Sequence, residues 1–279
     1  MTDLATQATK DVRDELQPPS SGRRAGRTVR RLMEQAAFGV ALLVAWEVLS
    51  GPVLNTLYFS QPSQIAVRFV EMVRSGELAT HLRTSGGEFI YGYVIGLGAG
   101  IACGVLLALL PAVSRLVQPY LIAFYSVPNI ALAPLFVIVF GIGIGSKIAL
   151  VALGTFFFVF LTTYHGAISI DKEFINVARI MGASQSRVIR RILIPSAMPD
   201  ILLGVRGAIP HALTGVIVGE FIASGSGIGW MVVNAANGFD TAGLFVGVMV
   251  IAIASLILTG FVRLAERILL PWSVNHASE

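Results

Sequence analysis

Arg206 and Glu220 stand 14 positions apart in a run that is otherwise almost wholly apolar. Ionisable side chains at such depth are costly and face a bundle interior or a wet cavity. Wound as a helix, the run puts both on one face, about 21 Å apart along the axis. Pro210, Leu213 and Ile217 lie between them on that face. The pattern predicts a pathway-lining stripe with a charge near each end. Arg206 is then either an attractor for an anionic solute or a side chain whose long stem reaches the inner interface. Glu220 is either a helix-end contact or gate partner, or a ligand, although an acid is an odd direct ligand for an anion. His211 is about 140° around the helix from Arg206 and reads as a packed, hydrogen-bonded histidine.

These residues do not converge on one point, as acid–base or metal chemistry requires. His81, His165, His211 and His276 lack metal-ligand spacing, and Cys103 is the one cysteine. Cysteine-based metal sites and intrachain disulfides are therefore excluded. No Gly-x-x-x-x-Gly-Lys-Ser/Thr phosphate-binding motif occurs. The expectation is a chain with no catalytic residue, no metal and no cofactor of its own.

The elements that must hold these residues are membrane spans. Of 279 residues, 55% are hydrophobic and 13% charged, with a mean hydropathy of +0.77. Soluble domains carry about 25% charged residues. This composition excludes a disordered chain, a nucleic-acid-binding domain and a disulfide-stapled module, and it predicts an all-α polytopic membrane protein. Six apolar segments qualify, at about 34–53, 88–110, 118–141, 147–169, 198–222 and 241–262. The first is short and contains Glu47, expected near the outer interface.

Residues 1–33 are polar and end in Arg23, Arg24, Arg27, Arg30 and Arg31. A signal peptide would place its apolar core directly after a short basic region, so this segment is expected to be a disordered basic tail. Its arginines contact anionic lipid or set topology. Arg179, Arg187, Arg190, Arg191 and Arg263 share its side of the membrane, against Arg68, Arg74, Arg83 and Lys147 opposite. Positive residues gather in the cytoplasm, so both termini, including the tail 273–279, are expected inside.

Other features refine the picture. In the outer loop, Ile65, Phe69, Met72 and Val73 have helical spacing, with Ser63 as N-cap and Gly76 as stop. Gly92, Gly96, Gly100 and Gly104 form one stripe that lets another helix approach, either for sliding or for static packing. Pro128 and Pro134 interrupt the third span. Proline removes a backbone donor, so a break is expected there, with Ser126 and Asn129 as polar pathway liners or simply part of a kink. Ser224-Gly-Ser-Gly-Ile-Gly-Trp230 is either a re-entrant outer gate or a turn with an interfacial Trp.

A loop at about 171–195 separates the fourth and fifth spans. Phe174, Val177, Ala178 and Met181 have amphipathic helical spacing, Gly182 ends that helix and Ser184 can cap the next. Val188, Ile189 and Ile192 mark a second helix, and Pro195 starts the return into the membrane. The apolar face must be covered by the membrane surface or by a partner's groove.

This loop resembles that of inner-membrane permease subunits of binding-protein-dependent ABC importers. Their pattern is Glu-Ala-Ala, three residues, Gly, nine residues, Ile-x-Leu-Pro; here it is Asn176-Val177-Ala178, three residues, Gly182, nine residues, Ile192-Leu193-Ile194-Pro195. Asn176, Val177 and Ile194 replace the usual residues. The likeness runs from about Trp46 to Trp272 and is nearest the nitrate/sulfonate/taurine/bicarbonate type. Tyr58-Phe59-Ser60-Gln61-Pro62-Ser63, Tyr164-His165-Gly166, Gly204-Val205-Arg206 and Val218-Gly219-Glu220-Phe221-Ile222-Ala223-Ser224 support it. The resemblance implies a permease domain over 34–272, paired as a homodimer in a bacterial inner membrane. It implies two cytoplasmic ATPase subunits that hold ATP and Mg, each receiving one loop helix, and an extracytoplasmic binding protein that delivers a small anionic solute. The alternatives are a stand-alone secondary transporter or channel, for which no internal repeat is seen, and an integral membrane enzyme.

Overall fold

The computed structural model describes residues 21–51, 55 and 58–269. They divide into two units, one ending at Ser63 and one starting at Gln64. Both are helical.

In the first unit, α1 (Ser21–Leu49) carries Arg30, whose guanidinium pairs with Glu34 one turn on, at 2.8 Å. Residues 21–33, expected in a disordered tail, therefore include helix. The Arg-rich segment has no Pro after Gly22, and the helix runs through Gly26 into the apolar run behind it. Residues 1–20 and 273–279 lie outside the described residues. Glu47 accepts from the Ser63 N–H at 3.0 Å and from the Ser63 hydroxyl at 2.6 Å.

α2 (Pro62–Arg74) is amphipathic, burying Ile65 and Met72. It starts one residue before the expected Ser63 cap, and it stops at Gly76, whose φ of 78° is the left-handed value glycine tolerates. In the second unit follow α3 (Glu77–Leu109), α4 (Pro111–Tyr125), a 3₁₀ turn (Asn129–Leu132), α5 (Ala133–Phe140) and α6 (Ile144–Ile168). Then come α7 (Lys172–Ile180), α8 (Gln185–Val188), a π turn (Ile189–Leu193), α9 (Ile194–Ala223), α10 (Ile228–Asn237) and α11 (Thr241–Leu269).

Among the described residues, five helices are long and apolar enough to cross a membrane, or six when the bent pair of α4 with the 3₁₀ turn and α5 is taken as one span. The third expected segment, at 118–141, falls on that pair, and the break expected at its prolines is present. The pair bends by 83° between Tyr125 and Asn129, where Pro128 supplies no amide hydrogen. Pro195 lies in the first turn of α9, and a π turn joins α8 to α9. The wider i+5 winding leaves room for a proline ring and spares its missing donor.

α6 is the centre of the second unit. On one side its Val151, Ala152, Phe156 and Thr163 meet the glycine stripe of α3. A Cβ on Gly92, Gly96, Gly100 or Gly104 would lie 2.5–2.9 Å from atoms of α6. On the other side α6 meets α9, where Phe89, Val151, Ile209, Ala212 and Val216 form one core cluster. Around this core, Leu256, Phe261, Ile138 and Tyr91 remain exposed, the apolar exterior expected of a chain in lipid.

Candidate functional site

Three places carry chemistry. The first is the loop between α6 and α9. Asp171 accepts from the Glu173 N–H at 2.9 Å and caps α7. At the other end Gly182 takes φ 79°. This turn lets the Gly182 and Ala183 N–H groups reach the carbonyls of Arg179 and Ala178, both at 3.0 Å. Such a double closure satisfies the last carbonyls of the helix and requires a left-handed residue. Arg179 Nη2 donates to Gln185 Oε1 across the turn at 3.2 Å. The result is a rigid short helix whose apolar side is uncovered. Phe174 is 69% exposed, Val177 54%, Ile180 86% and Met181 82%. Asn176 and Gly182 are exposed beside them, and Ala178 is half-buried. Ile192 is half-buried in the π turn and Pro195 exposed in the first turn of α9.

The second place is a sealed polar cluster where α3, α6 and α9 meet the loop 224–227. Lys147 Nζ donates to Glu88 Oε1 at 2.9 Å and to Ser224 Oγ at 2.7 Å. Ser85 Oγ donates to Glu220 Oε1 at 2.6 Å and accepts from the Ile228 N–H at 2.8 Å. Gly229 N–H donates to Glu220 Oε2 at 2.5 Å, and Gly227 N–H to His81 Nδ1 at 3.0 Å. Glu88 and Glu220 are each 1% exposed. Glu220 is therefore a buried contact that seats the glycine-rich loop. Glu88 and Lys147 were not singled out in the sequence. The available signal was an acid and a base near the ends of two apolar spans, each too deep to be left unpaired.

The other end of the expected stripe is also engaged. Arg206 Nη1 lies 3.1 Å from Glu266 Oε2 on α11, with the two side chains 33% and 25% exposed. The face that α9 leaves open includes Leu203, His211, Thr214 and Phe221 and shares only Pro210 with the expected stripe. His211 is exposed rather than packed away. Its ring lies against Phe158 with centroids 4.9 Å apart, and its nitrogens make no hydrogen bond among the described residues. Asn129 joins it in the third place, a cavity of about 150 Å³ lined by Asn129, Ile130, Leu150, His211, Thr214 and Val218. Ser126 is exposed, and its hydroxyl donates to the Ile122 carbonyl at 2.9 Å. Among the described residues, no group of three or more His, Cys, Asp or Glu could hold a metal.

Membrane-length helices that bury their charges against one another, with an uncovered amphipathic helix in the loop between two of them, define a polytopic transport subunit. The chain belongs to the family of binding-protein-dependent transport system inner membrane components, whose pattern matches residues 96–271. It is 34% identical over 236 residues to the putative aliphatic sulfonates transport permease protein SsuC of Bacillus subtilis strain 168, covering 84% of this chain and 86% of that one. It is 33% identical to the formylaminopyrimidine transport permease protein ThiX of Halalkalibacterium halodurans, covering 86% and 96%. To the taurine transport system permease protein TauC of Escherichia coli K12 it is 30% identical, covering 84% and 86%. The fold matches inward-facing structures of the MetNI methionine ABC transporter, with a TM-score of 0.58 over 67% of this chain and 93% of that one at 20% identity. An amino acid ABC transporter matches with a TM-score of 0.54 over 71% and 97%, at 15% identity. The chain is thus a multi-pass inner-membrane permease subunit of an ABC importer. In this family the membrane component is not the enzyme and has no cofactor of its own; ATP hydrolysis belongs to a separate subunit.

Proposed function

We propose that two copies of this chain form the translocation pathway of an importer for a small anionic solute such as a sulfonate, taurine or nitrate. An extracytoplasmic binding protein delivers the solute. Two cytoplasmic ATPase subunits, holding ATP and Mg, drive the cycle, and both termini of this chain are cytoplasmic. The sulfonate and taurine relatives favour the anion.

The observation that carries this reading is the naked apolar face of α7 beside Gly182. Phe174, Val177, Ile180 and Met181 are all more than half exposed, on a helix fixed at both ends by Asp171 and Gly182. A capped helix with an unburied face is the form that a partner's groove takes. Asn176, Val177, Ala178, Gly182, Ile192 and Pro195 belong to this coupling segment. When ATP closes the ATPase pair, the helix moves with its groove. The π turn and α9 carry that displacement into the membrane, because α8 and the π turn run from the end of this short segment directly into α9.

The test is a gentle detergent pull-down of tagged protein from native membranes, wild type beside Gly182→Trp. An ATPase with a phosphate-binding loop is expected with wild type and not with the variant. Well-folded wild type that brings down no ATPase overturns the reading.

A further inference from the structure

We infer that the cavity between Asn129 and His211 is a binding step for a small oxyanion on its way through the subunit. The inference rests on the importer reading and adds to it the residues that meet the solute.

Asn129 and His211 come from different elements, the 3₁₀ turn after the helix break and the middle of α9. They are brought together over Gly154 of α6. A Cβ there would stand 3.5 Å from both Asn129 Nδ2 and the His211 carbonyl. A polar side chain in a membrane helix is costly unless it has a partner or meets water. Neither the Asn129 amide nor the His211 imidazole has a hydrogen-bond partner among the described residues, and both line the same cavity. At about 150 Å³ it far exceeds the roughly 10–15 Å³ that one water needs.

The lining selects the ligand. No carboxylate lines the cavity, so nothing there favours a cation. The Thr214 hydroxyl spends its hydrogen on the Pro210 carbonyl at 2.8 Å. The unspent donors are then the Asn129 amide and an imidazole N–H, which suit an acceptor-rich group. Arg206 is absent from the lining and already paired with Glu266. An oxyanion would therefore meet hydrogen bonds and no unpaired fixed charge among the lining residues. Such a site holds a solute weakly enough to release it.

Thr214→Cys, in a Cys103→Ala background, tests this in lipid nanodiscs with both faces open. The probes are two methanethiosulfonate reagents, one carrying a sulfonate and one a trimethylammonium group. Rates are normalised to those with 2-mercaptoethanol. We expect Thr214→Cys to react, Leu256→Cys on the apolar exterior not to, and the sulfonate reagent to be favoured about fivefold, the discrimination of one net hydrogen bond. Adding Asn129→Ala or His211→Ala should abolish the preference. An unreactive Thr214→Cys, equal rates, or a preference that survives both substitutions overturns the inference. Co-purification of the ATPase with Thr214→Cys separates the outcomes. ATPase without labelling removes the cavity and leaves the importer reading; labelling without ATPase does the reverse.

Discussion

Lys147 Nζ lies 2.9 Å from Glu88 Oε1, and the two side chains are 6% and 1% exposed. The Glu220 carboxyl is within hydrogen-bonding reach of Glu88, while Glu88 Oε2 has no hydrogen-bond partner among the described residues. Two acids thus sit in a sealed place with one base, which pairs with Glu88, and the arrangement is lopsided. Lys147→Met should cost about 3–5 kcal/mol, because it leaves the acids uncompensated. Glu88→Gln should be neutral or stabilising. A carboxamide still accepts from Lys147 and also donates to Glu220. Thermal unfolding in detergent checks both, and equal losses in the two variants would show that the surplus acid is not felt.

The glycine stripe gives a second contrast within one helix. A Cβ on Gly96 would meet the Ala152 carbonyl oxygen and the Thr155 Cβ, both at 2.6 Å, whereas one on Gly98 meets nothing within 4 Å. A backbone oxygen cannot step aside as a flexible side chain can. Gly96→Ala should therefore lose about 1–3 kcal/mol through overpacking. Gly98→Ala should gain up to about 1 kcal/mol from helix propensity. Melting temperatures of the pair decide it, and a stable Gly96→Ala would mean that α3 and α6 can separate at low cost.

These two cases show what the sequence could reveal. The stripe was legible because its period is that of the helix itself, although its partner, α6, was not. Gly182 and Pro128 were legible because each imposes a local backbone requirement, a left-handed φ or a missing donor. The Lys147–Glu88 pair joins residues 59 positions apart, and no local period encodes which buried charges will meet. Glu220 and Arg206 were legible as costly at depth, but their partners Ser85, Gly229 and Glu266 were not, since helical spacing fixes which residues share a side and not what that side faces. His211 read as packed and is exposed, for the same reason. The π turn before Pro195 was not legible, because single-residue rules do not anticipate a widened winding.

The coupling helix yields a prediction on association. Ile180 and Met181 are 86% and 82% exposed. Burying either in a partner's groove is worth about 1.5–3 kcal/mol. Ile180→Asp or Met181→Asp should therefore weaken ATPase binding by about 10–100-fold, with folding unaffected because neither side chain supports the core. Titrating purified ATPase onto each variant in nanodiscs measures this. Unchanged affinity would place the partner's contact elsewhere on the loop.

The pairing of Arg206 with Glu266 separates two roles for the arginine. If its charge serves to tie α9 to α11, either single neutralisation strands a half-buried partner. Arg206→Gln and Glu266→Gln should then lower stability similarly, by about 1 kcal/mol for a pair this exposed. The double variant should recover much of the loss, as a coupled pair does in a double-mutant cycle. If Arg206 instead attracts the anion, Arg206→Gln alone lowers uptake, Glu266→Gln frees the charge and raises it, and the double variant behaves like Arg206→Gln. Uptake into proteoliposomes, measured beside unfolding temperature for all four proteins, distinguishes them. The 3.1 Å contact leads us to expect the first pattern, with uptake following stability rather than charge.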